Sequence, residues 1–217
     1  MEISTVINFF IYYLGFIVLL TFHEWGHAWV ALKCGDDTAQ REGRVSLNPL
    51  VHIDPIGTVL MPILGFVVSA SGSGLARFII GWARPVPVNL NNLRQPRLDD
   101  TLIALAGPMV NLALAFVLIC FLKIGIIANL PILQEMCFGM AYQSLLLCFF
   151  NLVPVPPLDG SHVLKNVIGM SHETYWRLCQ FGFIAVILVW QIPAVPSFVS
   201  RMVKETFGIF SQIVGVP

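Results

Sequence analysis

Residues Thr21–Asp37 read TFHEWGHAWVALKCGDD. They begin where an almost charge-free apolar run, Ile3–Phe22, ends. A bilayer-crossing helix needs about 20 apolar residues, so this run reads as a membrane span. Its end nevertheless carries His23, Glu24 and His27. On a helix, residues i and i+4 share a face one turn apart. His23 and His27 can therefore close on one tetrahedral metal ion, with Glu24 beside it to handle a proton, which is the H-E-x-x-H pattern of zinc hydrolases. The plainer alternative is a pair of histidines bonding across a helix interface, but ionisable groups within a span are costly and usually mark function. The 18 residues from Thr5 to His23 cover about 27 Å of helix, against a hydrocarbon core of about 30 Å. The histidines thus fall just inside one edge of the membrane, where water can reach them.

The rest of the chain fits that reading. It has 217 residues, 57% hydrophobic and only 11% charged, with a mean hydropathy of +0.81. Soluble domains carry about 25% charged residues. The composition predicts an all-α polytopic membrane protein, one membrane-embedded domain over residues 1–217, with spans at about 5–32, 56–70, 102–122, 138–153 and 178–193. Net charge is zero and no basic block occurs, so a nucleic-acid partner is not expected. Cys34, Cys120, Cys137, Cys148 and Cys179 are scattered without C-x-x-C spacing and read as small buried hydrophobes rather than a disulfide frame. The N-terminus lacks a basic n-region and a small-residue cleavage site, so no removable signal peptide is expected.

Lys and Arg set the sides. Lys33, Arg41 and Arg44 follow the first span, and Arg94 and Arg97 precede the third, which puts both loops in the cytoplasm. The chain between them must cross an even number of times, going out at 56–70 and returning at about 75–88. That return contains GWARPVPVN, where Pro85 and Pro87 forbid a regular helix. Non-helical backbone at membrane depth needs a protein or wet-cavity environment, so this piece is expected to be re-entrant and close to a functional cleft. A tail at about 198–210 reads as an interfacial amphipathic piece, although Arg201 and Lys204 would then lie on the outer side.

The same parity places NLVPVPPLDG, and with it Asp159, on the side of His27. A catalytic zinc takes three protein ligands and one open position. Asp159, turned inward at a proline-broken helix end with Gly160 after it, is the candidate third ligand; an ordinary Asp-Gly turn is the alternative. His52, His162 and His172 compete less well, the first as a loop residue and the second as a helix-start residue. Asn111 and Asn151 are amides in apolar runs. They read either as interhelical hydrogen-bonding groups or as groups that grip substrate backbone or an oxyanion. Arg84 reads first as snorkelling to the interface, with electrostatic action in the cleft as the alternative.

HEWGH, LNPLVHIDPIG, GWARPVPVN, ALAGPMVN and NLVPVPPLDG together resemble the site-2 protease family of intramembrane zinc metalloproteases, in its short form without a PDZ or nucleotide-sensing domain. The resemblance extends over nearly the whole length. It implies one Zn2+ per chain held by His23, His27 and Asp159, with Glu24 as catalytic base. It also implies substrates that are membrane proteins cleaved within or near their transmembrane segments, and a multi-pass location in a bacterial inner membrane with the site near the cytoplasmic side. Two other functions fit parts of the pattern. A membrane metal transporter would spread its ligands along a path and give Glu24 no role, and an inactive binding protein would not need the intact set.

Overall fold

The computed structural model describes residues 3–72 and 81–216, which form helices and irregular chain; among the described residues there is no strand. In chain order the helices are α1 (Ile3–Cys34), α2 (Thr38–Arg41), α3 (Met61–Ala70), α4 (Pro96–Ile127), α5 (Pro131–Asn151), α6 (Asp159–Val167), α7 (His172–Cys179), α8 (Gly182–Trp190) and α9 (Ala194–Val214). α1, α4 and α5 are long and apolar enough to cross a membrane. They correspond to the spans expected at 5–32, 102–122 and 138–153.

The other two expected spans differ. The 56–70 segment is a shorter apolar helix, in which a π-helical turn at Pro55–Leu60 runs into α3. The 178–193 segment is not one helix. The chain breaks between α7 and α8, and Pro193, which has no N–H to continue the ladder, separates α8 from α9 at a bend of 79°. α8 and α9 together pass as one broken span. The tail expected at 198–210 lies inside α9, which places Val199 and Val203 in a core with Ala115 of α4 and Leu145 of α5. That inward face is the apolar stripe of an amphipathic helix whose Arg201, Lys204 and Glu205 stay exposed.

α4 is the hub and packs against α1, α5, α6 and α9. Small residues allow the closest of these contacts. A Cβ on Gly26 would stand 2.9 Å from Val110 Cγ2 and 3.1 Å from the Ala106 carbonyl oxygen, so α1 and α4 meet almost backbone to backbone. This contact lies within the HEWGH turn itself and brings both histidines against α4.

Beyond α1 the chain is tied down by buried polar groups. Asp36, fully buried, accepts from Thr38 N–H (3.1 Å), Asn89 N–H (2.7 Å) and Asn92 Nδ2 (2.9 Å). Of the return expected at 75–88, residues 75–80 lie outside the described residues. Residues 81–88 are neither helix nor strand, in line with the proline argument. They are held on one edge: Trp82 N–H donates to the Gly57 carbonyl (3.2 Å) and Arg84 N–H to that of His52 (3.0 Å). Arg44 Nη2 donates to the carbonyls of Arg84 (2.5 Å) and Pro85 (3.3 Å).

Candidate metal centre

His23 and His27 project from the same face of α1, as their spacing dictates. Their Nε2 atoms are 3.1 Å apart. Asp159, the first residue of α6, brings Oδ2 to 3.2 Å from His23 Nε2 and Oδ1 to 3.5 Å from His27 Nε2. It stands there because α6 rests directly on the end of α5. A Cβ on Gly160 would fall 2.5 Å from the Leu152 carbonyl carbon and 2.9 Å from the Val153 carbonyl oxygen, so only glycine permits this seat. Both histidines are buried.

The geometry fits a metal ion. Zinc bonded to nitrogen or oxygen at 2.0–2.2 Å in a tetrahedron has its ligand atoms about 3.3–3.6 Å apart; the nearest donor atoms of the three side chains are 3.1, 3.2 and 3.5 Å apart, the two histidines meeting different oxygens of Asp159. Two imidazole nitrogens facing each other at hydrogen-bond distance need a proton or a cation between them. Asp159 Oδ2 is buried and has no hydrogen-bond partner, which is what an oxygen reserved for a cation looks like. A carboxylate, ordinarily ionised at neutral pH, supplies an anionic oxygen for such a cation.

The faces of the rings turned away from this gap are also fixed, both by α4. His27 Nδ1–H donates to the Ile103 carbonyl at 2.7 Å, which leaves Nε2 free as a ligand. Asn111 Nδ2 lies 3.1 Å from His23 Nδ1, while Oδ1 has no partner; the two ends of an amide are interchangeable by a flip about its last side-chain torsion. With the amide oxygen turned toward His23 it accepts the Nδ1–H and leaves Nε2 unprotonated as well. Asn111 is fully buried and its carbonyl accepts from Ser144 Oγ of α5 (2.7 Å). Gly107 fills the space between: a Cβ there would stand 2.7 Å from His23 Nε2 and closer still to His27 Nε2.

The remaining expected site residues are placed as follows. Glu24 is buried and lies within electrostatic reach of Arg44 and His52. His52 is buried, its Nε2–H donates to the Ser46 carbonyl at 2.8 Å, and burial lowers its pKa. Asn151 donates to the Leu147 carbonyl of its own helix at 3.0 Å. His162 meets Asp100 at 3.1 Å, and His172 accepts from the exposed Trp176 indole at 2.6 Å. Among the described residues, only His23, His27 and Asp159 form a group able to hold a metal ion. Sequence reasoning did not single out Asp100 or Gly107; the acidic pair Asp99–Asp100 at the mouth of an apolar span was the available signal for the first.

The fold thus sets a candidate three-ligand metal centre, from α1 and α6, in a helical chain with apolar, membrane-length helices. The model of peptidase family M50 matches residues 10–129 and 124–189. The chain belongs to peptidase family M50, the site-2 protease family. It is 36% identical over 185 residues to the candidate zinc metalloprotease YwhC of Bacillus subtilis, covering 82% of this chain and 78% of that protein. It is 30% identical over 199 residues to the candidate zinc metalloprotease Rip2 of Mycobacterium tuberculosis, covering 90% and 72%. With the Mycolicibacterium smegmatis protein of the same name it shares 27% over 206 residues, covering 92% and 75%. No solved structure matches.

Proposed function

We propose that this protein is an intramembrane zinc metalloprotease that hydrolyses peptide bonds within or near transmembrane segments of membrane proteins. The convergence of His23, His27 and Asp159, with each imidazole Nδ1 engaged by α4 and each Nε2 facing the gap, carries the reading. A zinc ion held by His23, His27 and Asp159 would supply Lewis acidity toward water and the scissile carbonyl. Glu24 takes the proton from the attacking water and delivers it to the departing amine nitrogen. A helical substrate hides its carbonyls in internal hydrogen bonds and must be locally unwound first. The non-helical 81–88 segment supports a way to hold it. Trp82 and Arg84 anchor their main-chain groups on the protein body, which fixes the segment as a rail along which an unwound substrate can add as a strand.

Purified protein is expected to carry about one zinc per chain. Metal analysis should show large losses in His23→Ala, His27→Ala and Asp159→Ala, and full zinc retention in Asp159→Ala would remove that residue from the ligand set.

We also place the centre near the cytoplasmic face of a bacterial cell membrane, on the bias of Lys33, Arg41, Arg44, Arg94 and Arg97. Gln40 and Glu173 are exposed on the chain segments after α1 and α6. Cysteines introduced at these two positions, in a background lacking Cys34, Cys120 and Cys179, should react with a membrane-impermeant thiol reagent only from the cytoplasmic side. Labelling from opposite sides would break the topology.

A further inference from the structure

We infer that Asp100 is a positioning residue for Asp159: by gripping one face of α6 it sets that helix's rotation and so places the carboxylate opposite His23 and His27. The inference rests on the zinc reading above. It starts from helix geometry. Asp159, His162 and Asn166 are spaced by three and four residues and share a face of α6. Asp100 takes that face in a single grip. Its Oδ1 accepts from His162 Nδ1 at 3.1 Å, and its Oδ2 accepts from Lys165 Nζ and Asn166 Nδ2, each at 2.7 Å. Asn166 Nδ2 also reaches Thr101 Oγ1 at 3.0 Å.

Asp100 and Lys165 are both buried, each 4% exposed. A buried ion pair of this kind is weak support for stability, because desolvation offsets much of its attraction; its best-attested use is to fix register. The Gly160 seat fixes where α6 begins; the Asp100 grip acts further along the helix and fixes its rotation. α6 is nine residues long and follows an irregular turn at 152–158. α7 backs the same grip, with Lys165 Nζ 4.9 Å from the centre of the Tyr175 ring and Tyr175 OH 2.8 Å from Ser161 Oγ.

The place of Asp100 on α4 completes the case. Asp100, Ile103, Gly107 and Asn111 follow one another at three- and four-residue steps, so they form one stripe. Along that stripe α4 meets α6, then His27, then the gap, then His23. α4 donates no ligand, yet it sets all three. Asp100 is the member that acts on Asp159.

The test compares zinc dissociation constants, by chelator competition, for detergent-purified wild type, Asp100→Asn and the double variant Asp100→Ala/Lys165→Met. The double variant removes both charges, so no buried charge is left unpaired. Partners that orient metal ligands typically change affinity about 10–100-fold when removed. Both variants are expected to bind zinc that much more weakly while retaining helical circular dichroism. Their cobalt(II)-substituted forms should have visible bands displaced from those of the wild type. A folded double variant with wild-type zinc affinity and cobalt spectrum would overturn the assignment. So would loss of helical structure in both variants, which would make the pair a folding element only. If the wild type itself binds no zinc, or Asp159→Ala keeps it, the zinc reading fails and takes this inference with it; the wild-type and Asp159 arms identify that case.

Discussion

Glu24→Gln should retain zinc and fold while losing proteolysis. The amide nearly matches the carboxylate in size, and Glu24 is buried in α1, so packing of the helix survives. His23, His27 and Asp159 are untouched, so metal content should stay near one per chain. What disappears is the group that takes a proton from the attacking water. General-base contributions are typically about 10²–10⁴-fold in rate, or roughly 2.7–5.4 kcal/mol on the barrier. The measurement is cleavage in liposomes of single-span substrates carrying Gly, Asn or Pro within the span, with metal analysis of the same preparation. A zinc-replete Glu24→Gln protein that cleaves at near wild-type rate would falsify the mechanism. A metal transporter answers differently, with altered flux or affinity and no peptide bond broken in either form.

The three residues that the structure gathers into the candidate centre can be picked out from the sequence, but the frame that aims them cannot. His23 and His27 were legible because the helical period brings i and i+4 together whatever surrounds them. Asp159 was picked out by the parity of the expected crossings, and in the structure it lies beside His23 and His27. The contributions of α4 were hidden for a different reason. Ile103 acts through a main-chain oxygen and Gly107 through the lack of a Cβ, and neither leaves a mark in residue type. Asn111 was noticed as an amide in an apolar run, but a sequence does not say which group it meets; in the structure that group is His23. The 178–193 run illustrates the limit of hydropathy. Its composition suits a span, yet a break at residues 180–181 and the stop before Pro193 divide it, and such breaks depend on packing that composition does not report.

Gly107→Ala is expected to empty the metal centre without unfolding the protein. The added Cβ would stand 2.7 Å from His23 Nε2 and nearer still to His27 Nε2, inside the closest approach of unbonded carbon and nitrogen. α4 has little room to retreat. Its neighbour Pro108 is among the most fully buried side chains, and on the preceding residue Ala106 the carbonyl already sits against Gly26. The imidazoles must therefore move, and metal sites tolerate displacements of only about 0.5 Å. Moving them also strains the Ile103 and Asn111 hydrogen bonds that fix their orientation. The helix itself gains, since Ala is about 0.8–1.0 kcal/mol more favourable than Gly in a helix interior. The variant separates two quantities that ligand substitutions tend to mix. Metal analysis should fall from about one zinc per chain to near none, and proteolysis should fall with it. Helical circular dichroism should be retained, while the displaced imidazoles lower the metal-free melting temperature somewhat, since overpacking typically costs about 1–3 kcal/mol and outweighs the propensity gain. Zinc content and activity at wild-type level in Gly107→Ala would mean that the two Nε2 atoms do not face this gap when metal is bound, and the centre would have to be built differently. Gly26→Ala serves as the contrast: its Cβ meets Val110 and the Ala106 carbonyl rather than the histidines, so its damage should appear first in the packing of α1 on α4, as a lowered melting temperature in metal-free protein.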